Sequence, residues 1–214
     1  VIEMELKVSE IFKSIQGEGP WIGRVCTFVR LSGCNMGCSW CDTYQREHQT
    51  LNIDHKTLSD SIMGENVVIT GGEPLVQSRS LFKLIAELKS RNKKIAIETN
   101  GTIPPNLRVH EEELPDLMVI SPKINHSKID DMKPLFTRWE HYKFPKAYKF
   151  VVVDKRDVEF VLACADEGVI TGDIILQPCE PEKKAVPYIM EKAEWLERFG
   201  IRLIPQTHKY LKVQ

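Results

Sequence analysis

Apolar and polar residues alternate along residues 6–15, and the alternation stops at Gly17-Glu18-Gly19-Pro20; this predicts a strand running into a tight loop. Residues 24–31, dense in β-branched and aromatic side chains, predict a buried strand. Residues 44–52 are polar and read as a mobile segment. Beyond them the period switches back and forth. Residues 58–63 predict a short helix, 66–70 a strand, and 78–91 an amphipathic helix with Leu81, Leu84, Ile85 and Leu88 on one face. Strands follow at 94–99 and 117–121, a short helix at 134–140, a strand at 148–153 and a helix at 156–167. The pattern ends with a strand at 173–177, a helix at 186–199 and a strand at 201–204. Strands separated by helix-length segments imply a parallel sheet. About six of them are too few for a closed eight-stranded barrel, so a partial (incomplete) TIM-type barrel is the expected α/β architecture.

At 214 residues the chain is expected to form a single domain with a substantial core. Its 29 basic and 30 acidic residues nearly cancel, which argues against a strong electrostatic grip on nucleic acid. No apolar run approaches bilayer length, and the first residues show no charged-then-apolar leader pattern. A soluble, cytoplasmic protein without a membrane partner is therefore expected, and its 6 cysteines are read as reduced, serving as ligands or core residues.

Three of those cysteines, Cys34, Cys38 and Cys41, fall in one Gly-bearing stretch with C-x3-C-x2-C spacing. Thiolates are soft, strong ligands, and three so close in a loop can converge on one metal centre. Ordinary cubane clusters use four cysteines and structural zinc sites close with a fourth Cys or His. No fourth cysteine lies nearby. Iron would leave one corner of a cluster open to a small molecule, whereas zinc would find His48 as a fourth ligand. A disulfide would strand one of the three. Just beyond, Asp42 and Thr43 carry oxygens suited to a hard cation such as Mg2+, although a helix cap is the plainer use of such residues.

The carboxyl ends of parallel strands converge on one rim, and the remaining motifs fall there. Thr70-Gly71-Gly72-Glu73-Pro74, Glu98-Thr99-Asn100-Gly101, Ser121-Pro122-Lys123 and Gln177-Pro178 each follow an apolar strand. Singly each is an ordinary turn, but four in register make a candidate binding rim. Arg30, near the end of its strand, either pairs with a neighbouring carboxylate or offers a planar fork to a substrate carboxylate. Cys26 and Cys164 read as core residues. Residues 143–149, basic and aromatic, read as a solvated face first and a nucleic-acid patch second.

The cysteine spacing with Trp40 just before the last cysteine resembles the radical S-adenosylmethionine (SAM) superfamily. The flanking Ile15-Gln16-Gly17-Glu18-Gly19, Phe28-Val29-Arg30 and Gln206-Thr207-His208-Lys209 narrow the resemblance to the 7-carboxy-7-deazaguanine synthases, and it runs nearly end to end. The resemblance implies that Cys34, Cys38 and Cys41 ligate a [4Fe-4S] cluster and that Thr43 ligates Mg2+. It implies SAM binding by Trp40, Cys41, Asp42, Gly72, Glu73, Ser121, Pro122, Lys123 and Gln177. Substrate contacts are implied at Ile15, Gln16, Gly17, Glu18, Arg30, Thr70 and His208, the last on a tail folded over the site. The implied reaction is ring contraction of 6-carboxy-5,6,7,8-tetrahydropterin to 7-carboxy-7-deazaguanine with loss of ammonia. It is started by a radical from SAM, with no side-chain acid or base assigned. A homodimer and an electron donor such as flavodoxin or ferredoxin are implied with it. Two other classes stay open at this point: an activating enzyme for a glycyl-radical partner, and a zinc-binding interaction module.

Overall fold

In the computed structural model the β-branched run Val25–Leu31 (β2) pairs antiparallel with the long strand Glu5–Ile15 (β1) and parallel with Asn66–Gly71 (β4). The structure describes residues 5–38, 41, 49–104, 114–124, 128–142, 144–179 and 183–213. Two compact units are present, one of Val1–Ile15, Arg24–Thr99 and Ile103–Met118, the other of Gln16–Gly23, Asn100–Thr102 and Val119–Gln214.

In the first unit β1 also pairs antiparallel with Leu51–Asp54 (β3), a short strand whose first two residues, both exposed, close the polar stretch 44–52 that the sequence reads as mobile. Asp54 then caps the helix His55–Ser61 (α1), its carboxylate accepting from Lys56 N–H at 3.0 Å and Thr57 N–H at 3.1 Å. After β4 comes the helix Ser78–Ser90 (α2), which buries Leu81, Leu84, Ile85 and Leu88, the face its periodicity predicts. Lys94–Thr99 (β5) then pairs parallel with β4. Val29, Val67, Ile69, Ile95 and Ile97 are all fully buried, as the inner strands of a covered sheet require.

Leu117–Ile120 (β6), buried along its length, crosses from the first unit's residues into the second's. The second unit continues with the helix Ile129–Glu140 (α3), the strand Lys146–Val152 (β7) and the helix Lys155–Asp166 (α4). The strand Asp173–Pro178 (β8), the helices Ala185–Glu191 (α5) and Ala193–Phe199 (α6), the short strand Arg202–Leu203 (β9) and the helix Thr207–Leu211 (α7) complete it. β7, β8 and β9 are mutually parallel neighbours in that order. Phe136 from α3 sits edge-on to Tyr148 and Phe150 from β7, and the Trp139 Nε1–H donates to Gly101 O at 2.7 Å. The fold is α/β, with a mostly parallel sheet that does not close; β1 and β3 are its antiparallel members. Among the described residues no helix is long and apolar enough to cross a membrane.

Candidate active site

In the first unit a row of polar side chains crosses four neighbouring strands. Glu10 on β1 is the register partner of Arg30 on β2, and Arg30 that of Thr70 on β4. Thr70 Oγ1 donates to Glu98 Oε2 on β5 at 2.9 Å. Register partners point to the same face, so the row places a guanidinium next to a hydroxyl near the carboxyl ends of β2 and β4. The Arg30 Nε–H donates to Glu10 Oε1 at 2.5 Å, and its guanidinium carbon lies 5.6 Å from the Phe12 ring centre. Two of the substrate residues implied by resemblance, Arg30 and Thr70, are thus brought together. Ile15 lies at the end of β1, paired with Val25. Glu10, which orients Arg30, carries no signal in the sequence, and Glu98, there only part of the motif after its strand, meets Thr70 through strand register.

The Gly71-Gly72 turn after β4 is laced to the start of the cysteine loop. Gly72 N–H donates to Leu31 O at 2.9 Å and Glu73 N–H to Gly33 O at 2.8 Å. A Cβ on Gly72 would run into the Gly33 carbonyl, so only glycine lets these two backbones lie so close. Glu73 is fully buried; its Oε1 accepts from Leu75 N–H at 3.0 Å and from Thr99 Oγ1–H at 2.7 Å, which fixes the turn.

Cys34 is exposed, and Cys38 and Cys41 are partly exposed. Met36 N–H points at Cys34 Sγ (3.4 Å) and Cys41 N–H donates to Cys38 O at 3.2 Å. By contrast, burial pushes the thiol of Cys26 up to about 11 and that of Cys164 up to about 12, leaving them protonated core residues. The donor chemistry fits an iron–sulfur group: accessible thiols in one loop, with a backbone N–H aimed at sulfur. Among the described residues no group of three or more His, Cys, Asp or Glu is already placed to hold a metal ion. Trp40, Asp42, Thr43 and His48 lie outside the described residues.

In the second unit the loop after β1 meets the chain's last segment. Gln16 is buried; its Oε1 accepts from Glu18 N–H at 3.1 Å, and its carbonyl accepts from Gly23 N–H at 2.8 Å. Gly17 O accepts from Thr207 N–H at 2.9 Å, and the backbone and ring of His208 occupy the space that a Cβ on Gly17 would need. Glu18 Oε1 accepts from Gln206 Nε2 at 2.7 Å and its Oε2 pairs with the Lys149 ammonium. Burial alone would raise the Glu18 pKa. The facing Lys149 charge, the bonds from Lys149 and Gln206 and the field of His208 more than reverse this, lowering it from 4.5 to about 2. Lys149 is itself only 6% exposed, which corrects the solvated-face reading at residues 147–149: Ala147, Tyr148 and the next residue, Phe150, are core. Nothing in the sequence links Glu18 with Lys149 and Gln206, because the three come from distant stretches.

Ser121 and Pro122 are buried at the end of β6, with Lys123 Nζ 3.2 Å from Ser121 Oγ. Gln177 is 2% exposed on β8, and its Oε1 meets no donor among the described residues. A buried acceptor of this kind suits a ligand's N–H or O–H.

Residues 28–132 match the family model of the radical SAM superfamily. The 7-carboxy-7-deazaguanine synthase of Pyrobaculum aerophilum is 36% identical, over 95% of this chain and 93% of the relative. That of Hyperthermus butylicus is 34% identical, over 87% of this chain and 82% of the relative. Among solved structures, QueE from Escherichia coli superposes with a TM-score of 0.71 at 26% identity, covering 96% of this chain and 95% of its own. Relatives this similar over nearly their whole length, sharing the fold and carrying the same name, show that this chain belongs to the 7-carboxy-7-deazaguanine synthase family of the radical SAM superfamily.

Proposed function

We propose that this chain is a 7-carboxy-7-deazaguanine synthase that contracts the ring of 6-carboxy-5,6,7,8-tetrahydropterin with loss of ammonia. The observation that carries the reading is the row Glu10, Arg30, Thr70 and Glu98, which sets a permanently charged planar fork beside a hydroxyl whose orientation Glu98 fixes. That pairing suits a carboxylate on a small polar ring. Cys34, Cys38 and Cys41 would hold the [4Fe-4S] cluster, which together with SAM supplies a 5′-deoxyadenosyl radical when reduced. Gly72, Glu73, Ser121, Pro122, Lys123 and Gln177 would bind SAM with Trp40, Cys41 and Asp42, Glu73 also keeping the glycine turn in shape. Thr43 would hold Mg2+ beside the substrate carboxylate.

Arg30, anchored by Glu10, would bind that carboxylate. Ile15, Gln16, Gly17, Glu18, Thr70 and His208 would orient the ring, keeping the atom attacked by the radical in one place. A flavodoxin- or ferredoxin-type donor supplies the electron, and the working protein is a cytoplasmic homodimer acting on a small molecule rather than nucleic acid. Anaerobic incubation of the reconstituted protein with SAM, dithionite, Mg2+ and the carboxypterin should yield the deazaguanine product. Deoxyadenosine without deazaguanine would retain the superfamily and reject this substrate.

A further inference from the structure

The loop at residues 16–19 and the segment at residues 205–211 stand at opposite ends of the chain, and one buried carboxylate joins them. Glu18 divides its oxygens between Gln206 Nε2, at 2.7 Å, and the ammonium of Lys149. The Lys149 side chain is 8% exposed and that of Glu18 13%. A lysine buried this deeply is tolerated only with a partner, because an unpaired ammonium in an apolar strand carries a large desolvation cost. Its backbone does not move to suit that partner: Lys149 is locked in register with Ile175 in the parallel pair of β7 and β8, between fully buried Tyr148 and Phe150. Lys149 is therefore a fixed post. Glu18 is tied to it, Gln206 hangs from the other oxygen, and the next residues along are joined through Thr207 N–H to Gly17 O. The bond between Lys209 Nζ and Gln206 Oε1, at 2.5 Å, orients the Gln206 amide with its NH2 toward Glu18.

We propose that Lys149 is a positioning residue for the substrate, acting through Glu18 and Gln206 to hold the loop at residues 16–19 and the C-terminal segment together as one substrate-reading surface. The inference rests on the assignment of those two segments to the pterin. It predicts a defect in substrate binding rather than in radical generation, since Gly17, Glu18, Lys149, Gln206 and Thr207, between which the clamp's bonds run, are not among the residues assigned to the cluster or to SAM.

The test uses reconstituted holoenzyme carrying Lys149→Met, Lys149→Arg or Gln206→Ala, with kcat and KM for the carboxypterin measured beside deoxyadenosine release in its absence. Lys149→Met should raise KM by about 10- to 100-fold, the range for misplaced positioning groups, with a smaller change in kcat. Lys149→Arg should recover most of that loss, and Gln206→Ala should raise KM by about fivefold, as for one lost hydrogen bond. Substrate-free deoxyadenosine release should stay at the wild-type rate in all three. An unchanged KM in folded Lys149→Met overturns the proposal. So does a parallel fall in kcat and substrate-free deoxyadenosine, which would mark a general structural defect. Should Lys149→Met fail to fold, the KM of Gln206→Ala decides. Wild-type protein that cleaves SAM but never converts the pterin overturns the substrate assignment, and the clamp's role falls with it.

Discussion

Arg30 and Lys149 are both cations on apolar strands, and each is held by a carboxylate from a different part of the chain: Glu10 for Arg30, Glu18 for Lys149. The two pairs differ in what they leave for chemistry. Arg30 spends its Nε–H on Glu10, which sets the plane of the guanidinium. A lysine there keeps the charge but loses the fork, so Arg30→Lys should lower kcat/KM for the carboxypterin by about tenfold or more while leaving secondary structure intact by circular dichroism. Glu18 makes a prediction about pH. Its folded-state pKa, about 2, is depressed below the ordinary 4.5, so the stability it contributes is fully present above that ordinary value and disappears as pH falls through about 2. In Glu18→Gln the neutral amide leaves Lys149 buried without its counter-ion. Urea unfolding at a series of pH values should therefore show the wild type more stable than Glu18→Gln near neutrality, with the gap shrinking between pH 4.5 and 2. A gap independent of pH would mean that the carboxylate charge is not what holds Lys149.

Elements whose period is carried by burial on one face were legible in the sequence, and elements defined by a distant partner were not. The face of α2 and the apolar strands β4 to β8 stand where the pattern places them. β3 is not legible in the sequence because its pairing with β1, not the pattern of its own four residues, makes it a strand. The helix expected at 186–199 is two helices, with Lys192 at φ −102° and ψ 19° between them; a break of one residue barely disturbs a 3.6-residue pattern. α3 begins at Ile129 rather than at Pro134: its acidic first turn of Asp130 and Asp131 favours the earlier start, and Pro134 stands inside the helix. Motif positions were legible too, but not their supports: strand register alone brings Glu10 to Arg30, and Glu98 to Thr70. At this scale the glycine turn after β4 makes its own prediction. Gly72 has an ordinary φ, so Gly72→Ala is a purely steric change, forcing the turn away from Gly33 at a cost of about 1–3 kcal/mol. The separation should propagate to Cys34, the next residue, and be read as lower iron content after reconstitution together with a lower melting temperature.

Across the whole chain, the parts that would hold the cluster and the parts that hold the fold are separate. Cys34, Cys38 and Cys41 lie in an exposed or partly exposed loop, whereas Val29, Leu31, Val67, Ile69, Ile95 and Ile97 in the first unit and Phe136, Trp139, Tyr148 and Phe150 in the second are fully buried without them. A small zinc module works the other way: it has too little apolar core, the metal supplies its folding free energy, and chelators unfold it. A chain of 214 residues with buried strands in both units has no such need. Replacing all three cysteines by alanine should therefore abolish iron binding and deoxyadenosine formation while leaving far-ultraviolet circular dichroism and a cooperative urea transition close to those of the metal-free wild type. Chelation of the wild type should likewise bleach it without unfolding it. Loss of the transition in either experiment would mean that the loop supports the core.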